Sequence, residues 1–138
     1  MNRSMSFWLI RTAVAIPAAI LGNAIVYMLG TSLGVSFIVP QGPAGPQPLT
    51  LMQIGMVTFL AGVGASLVYA ALLRWVRKPV LTFRVVSAIV LVLSFGATLA
   101  VPMETSTALA LDAMHVVAAA LLVFVLTVRY PSGQSATR

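Results

Sequence analysis

In "LALDAMHVVAAALLVFVLTV", residues 109–128, an apolar run is interrupted by an acid and a base three residues apart, Asp112 and His115, the latter the chain's only histidine. At i, i+3 helical spacing the two side chains share a face. A carboxylate and an imidazole so placed can bond to each other, hold a proton or cation, or present two metal ligands as in carboxylate di-iron bundles. The metal arrangement also needs further carboxylates and a second histidine, and the chain offers only Glu104, in a loop. No metal or cofactor is expected, and the remaining readings are a closed hydrogen-bonded lock and a proton or cation site open to outside water.

Composition says which elements must position this pair. The 138 residues are 60% hydrophobic and 7% charged, with a mean hydropathy of +1.05, too apolar to cover a soluble domain with polar surface. A membrane span needs about 20 mostly apolar residues. Four stretches qualify: 12–33, 51–73, 80–101 and 108–128. The expected fold is all-α, a single four-transmembrane-helix bundle occupying residues 1–138. Between the first two spans, "VPQGPAGPQP" carries four prolines and two glycines, predicting a stiff, partly polyproline-II external loop over 36–49. Pro17 predicts a bend in the first helix.

Charge predicts orientation. With the amino terminus in the cytoplasm, Arg3, Arg11, Arg74, Arg77, Lys78, Arg84, Arg129 and Arg138 all fall on the cytoplasmic side. Both termini are then inside, with a basic loop at 74–79 and a tail at 129–138. Arg74, Arg77, Lys78 and Arg84 set topology and touch anionic headgroups, and Phe7, Trp8, Trp75 and Tyr130 flank the same boundary. The net charge of +6 is thereby accounted for without nucleic acid.

Helices in lipid associate through small and polar side chains. Candidate packing positions are Gly30 and Gly34, a Gly-x-x-x-Gly on the first helix, and Gly55, Gly62 and Ser66 on the second. Asp112 facing lipid would cost about 2 to 3 kcal/mol, so it should face inward, toward a partner, or be protonated. Its nearest expected partner is His115, with Asn23, Ser94 and Thr98 completing a polar cluster in the outer half of the bundle.

Other chemistry is poorly supplied. The chain has no cysteine, hence no disulfide or thiol redox centre, and no Gly-x-Ser-x-Gly, His-Glu-x-x-His or phosphate-loop motif. An enzyme is not expected. The Arg-bearing amino terminus, uncharged Pro-rich first loop, basic second loop, "VLVLSFGATLAVP" and "ALALDAMHVVAAA", with the Leu-x-x-Met-His run from Leu111 to His115, resemble a family of small bacterial four-helix membrane proteins classed as a domain of unknown function. The resemblance covers essentially the whole chain and implies a bacterial inner-membrane location without implying an activity. Small multidrug transporters carry a first-helix glutamate that is missing here. The leading expectation is a structural or accessory subunit, with the lipid bilayer and a membrane-protein partner or a homo-oligomer as its contacts. The alternative is a small proton- or cation-coupled transporter or channel using Asp112 and His115. Any small ligand is unspecified by the sequence.

Overall fold

The computed structural model describes residues 3–128, with side chains from Trp8 onward. The side chains of Arg3 and Phe7, and all of Arg129, Tyr130 and Arg138, lie outside the described residues. The four expected spans are four helices: α1 (Arg3–Ser32), α2 (Leu51–Trp75), α3 (Pro79–Ala100) and α4 (Thr105–Thr127). Each is long and apolar enough to cross a membrane. α1 begins well before the expected Thr12 and continues as helix through Pro17.

The helix limits follow local chemistry. α2 opens with a capping box in which Thr50 Oγ1 accepts from the Gln53 backbone N–H while Gln53 Oε1 accepts from the Thr50 N–H. α3 begins with Pro79, where the missing N–H costs no helical bond. Past the end of α1, Gly34 takes a φ of 85°, a left-handed conformation that glycine adopts without a Cβ penalty.

The Pro-rich loop departs from the expected polyproline-II connection. It is a short antiparallel hairpin of β1 (Ile38–Pro40) and β2 (Pro46–Pro48), joined through the single 3-10 turn Gly42–Ala44. Its only paired residues without a proline are Ile38, Val39 and Gln47, so prolines occupy half of the six ladder positions. This is tolerable because a two-stranded ribbon is all edge, where the N–H that proline lacks can be dispensed with. The loop folds back onto the bundle. Phe37 is 1% exposed and packs with Ile54 and Met114, while Tyr27 donates to the Leu49 carbonyl at 3.0 Å.

α1 packs most extensively on α4 and then on α2; α3 lies on α4 and touches α2 only sparsely. The order around the bundle is thus α2, α1, α4, α3, with a thin seam between α3 and α2. At the end opposite the hairpin, a second apolar cluster joins Ala15, Ala19, Tyr69, Phe83, Leu122 and Leu126. That end also gathers the described basic residues. Arg11 donates to the Leu126 carbonyl at 3.2 Å, Arg84 reaches Thr127 Oγ1 at 3.5 Å, and Arg74, Arg77 and Lys78 flank the α2–α3 turn. Two cations at the carboxyl end of α4 complement its dipole.

Small residues permit close helix contacts, though not at all the expected positions. A Cβ on Gly62 would stand 2.8 Å from Ile16 Cγ1, so this glycine does bring α1 and α2 together. Ser66 is buried, and its carbonyl accepts from Trp8 Nε1 at 3.2 Å. Gly55 is loosely packed, with its nearest neighbour at 3.9 Å. The Gly30–Gly34 pair is not a helix-packing motif: Gly30 lies beneath the Phe37 ring, and Gly34 sits beyond α1 with nothing within 4 Å. The glycine that brings α1 against α4 is instead Gly22, where a Cβ would meet Leu121 and Val117 at 2.7 and 2.8 Å.

Candidate functional site

The polar residues expected to form one cluster are divided among three places. Asp112, on the second turn of α4, accepts from Thr98 Oγ1 on α3 at 2.6 Å, the short length of a hydroxyl–carboxylate bond. Thr98 is buried, and the Phe95 carbonyl one turn back lies 2.8 Å from the same hydroxyl. This bond ties the hairpin-side ends of α3 and α4.

Asn23, on α1, belongs to a different interface. Its Nδ2 donates to Thr58 Oγ1 of α2 at 2.9 Å, and Thr58 passes its own proton to the Ile54 carbonyl at 2.7 Å. Because the hydroxyl's proton is committed, Thr58 must accept, which orients the Asn23 amide. Both residues are buried. A double-mutant cycle of Asn23→Ala and Thr58→Val should give a coupling of about 0.5 to 1.5 kcal/mol in reversible unfolding in detergent, the range for interhelix polar pairs. A coupling near zero would mean that the bond does not tie α1 to α2.

His115 is bonded to neither. Its Nδ1 lies 2.8 Å from the carbonyl of Leu111, one turn back on its own helix. A carbonyl only accepts, so Nδ1 carries a proton, and in the neutral imidazole Nε2 is then the acceptor. Among the described residues, no hydrogen bond joins Asp112 to His115. The expected pairing fails because Asp112 finds its partner on α3, while the imidazole turns back along α4. Ser94 likewise donates to its own helix, at 2.7 Å from the Leu91 carbonyl.

His115 and Ser94 meet at a half-open groove along the thin α2–α3 seam. The groove encloses about 340 Å³ and has Gly64 and Ala65 of α2, Leu91 of α3, and Ala118 and Ala119 of α4 in its walls. Small side chains on α2 and α4 leave this space, and the sparse α2–α3 contact leaves it unfilled.

At the hairpin end, Ser36 donates to Glu104 Oε2 at 3.0 Å and lies 3.4 Å from Thr107 Oγ1. Glu104 is the N-cap residue of α4, where negative charge suits the helix dipole. Gln53 is likewise engaged, with Thr50 and, at 3.3 Å, Gln41. Sequence reasoning missed Gly22 and Phe37, whose neighbours come from distant parts of the chain; the glycine at mid-span was the available signal for the first.

The fold and its polar ties define a class, a bundle of four apolar helices capped at one end by a hairpin and carrying the described cations at the other. Within that class the chain belongs to the Family of unknown function (DUF6069), whose profile matches residues 3–132. No curated protein matches the chain. No solved structure matches it either.

Proposed function

We propose that the chain is a non-enzymatic accessory protein of the bacterial cytoplasmic membrane, crossing it four times with both ends inside and acting by packing against other membrane proteins or itself. Orientation is supported by the charge distribution: Arg11, Arg74, Arg77, Lys78 and Arg84 gather at the end away from the hairpin, as the positive-inside rule requires of a cytoplasmic face. The observation carrying the accessory reading is that Asn23, Thr58, Thr98 and Asp112 are spent on bonds between helices. A transport path would need Asp112 and His115 to converge, whereas Asp112 faces Thr98 and His115 lines the groove.

The cysteine-free chain makes orientation directly readable. In intact cells, a membrane-impermeant thiol reagent should label Pro43→Cys in the hairpin turn and leave Lys78→Cys untouched. The opposite pattern would invert the topology. Extraction of the full chain in mild detergent should yield a defined oligomer or a stoichiometric complex. Recovery solely as a free monomer, or pH-dependent ion flux in vesicles that Asp112→Asn abolishes, would replace the accessory reading with another.

A further inference from the structure

His115 poses a physical problem that the interhelix bonds do not solve. It lies ten residues into α4, a helix of 23 residues, and therefore roughly 15 Å along it at about 1.5 Å per residue. Both ends of the helix are distant, so in the proposed membrane placement the imidazole is near mid-depth. Its side chain is exposed, and Nε2, on the ring edge away from the Leu111 carbonyl, is an acceptor with no donor from the described residues. An acceptor left bare in hydrocarbon is costly, and lipid chains cannot satisfy it.

The surroundings narrow what can. The hydroxyl of Ser94 is committed to the Leu91 carbonyl. The groove beside it is walled almost wholly by carbon, and its volume of about 340 Å³ falls in the range of small-molecule sites. It continues from His115 past Ala119 and Leu122 to Phe83, toward the basic end. A cation would find no carboxylate on these walls, and an anion would find no positive charge there. A donor on an apolar body fits both parts.

We propose that the groove between α2, α3 and α4 is a binding site for a membrane-soluble apolar molecule bearing a hydroxyl, an alcohol or phenol, whose O–H donates to His115 Nε2 while its body lies along Ala118, Ala119 and Leu122. The site rests on the proposed membrane placement but not on the accessory role. The thin α2–α3 seam is its lateral entrance. The hydroxyl selects the ligand because Nε2 of the neutral ring accepts a hydrogen bond and has none to donate.

The lone histidine makes the test specific. Full-length protein labelled with nitrogen-15 histidine, in lipid nanodiscs, is titrated with para-octylphenol and with its methyl ether, which keeps the apolar body and loses the donor. Before ligand is added, the spectrum should show Nδ1 protonated and Nε2 bare. The phenol should move the Nε2 resonance saturably toward its hydrogen-bonded position, with the ether binding about five- to tenfold more weakly, the worth of one hydrogen bond. Ala119→Leu should fill the groove and abolish the saturable shift while the Nδ1 proton signal persists, which confirms an intact α4. Equal shifts with phenol and ether, a non-saturable drift, insensitivity to Ala119→Leu, or an Nε2 already hydrogen-bonded before titration would each overturn the proposal. Topological labelling is read separately, so failure of the membrane placement and failure of the site are distinguishable.

Discussion

Phe37→Ala should lower the stability of the bundle by about 3 to 5 kcal/mol, the loss expected when a fully buried aromatic ring is removed. The ring closes the hairpin end: it lies over Gly30, meets Tyr27 at a tilt of 43° with centroids 4.8 Å apart, and packs with Ile54 and Met114. It does so from a backbone φ of 50°, which a bulky residue adopts only at a cost of about 1 to 2 kcal/mol. Phe37 is the sole non-glycine residue at positive φ among those described, so burial of the ring must outweigh that strain. Phe37→Gly separates the two terms. It loses the same ring but relieves the backbone, and should be about 1 kcal/mol more stable than Phe37→Ala. Reversible unfolding in detergent, followed by helical circular dichroism, measures both. A loss below about 1 kcal/mol for the alanine variant would show that the loop merely rests on the bundle.

Gly22→Leu should open the α1–α4 interface, the most extensive in the molecule, and destabilise it by about 1 to 3 kcal/mol or more. Even the first added carbon would stand 2.7 Å from Leu121 Cδ1 and 2.8 Å from Val117 Cγ1. The valine methyl sits on a stiff branched side chain and cannot swing aside as the leucine tip can. Gly96→Leu supplies the contrast, because nothing lies within 4 Å of a Cβ there and the residue is exposed. That variant should change stability little. Leucine's better helix propensity favours both variants alike, so similar stability changes at Gly22 and Gly96 in the same unfolding measurement would mean that close packing does not govern Gly22.

The outcome at the polar pair shows where residue spacing stops being informative. Spacing correctly places Asp112 and His115 on neighbouring turns of one helix, yet it is silent about where each side chain turns. Asp112 bonds across to Thr98, a residue the sequence suggested only as one of several partners. His115 folds back on Leu111. Ser94, grouped with them by depth, is occupied by its own helix. In each case the nearest acceptor or donor is decided by rotamer and by which helix stands alongside, and neither is periodic in the sequence.

Other features were legible to different degrees. Gly62 was recognisable as a packing position because it repeats at helical spacing with Gly55 and Ser66. Gly30 and Gly34 share that spacing, but their roles follow from the hairpin folding back and from α1 ending at Ser32. The hairpin was hidden because prolines argue against strands, and its pairing needs only a two-stranded ribbon braced by Phe37 and Leu49.

By itself, the sequence determined four apolar helices, their approximate limits and a charge bias toward one end, because length, hydropathy and the positions of Lys and Arg act along the chain and need no neighbour. Only the tertiary structure decided that α1 lies between α2 and α4, that Gly22 rather than Gly34 sits in a helix contact, and that the polar residues separate into two interhelix bonds and one histidine at a groove. Those outcomes depend on which surfaces meet. Gly22 touches residues nearly a hundred positions away, and contacts at that range are selected by the fit of whole helix faces.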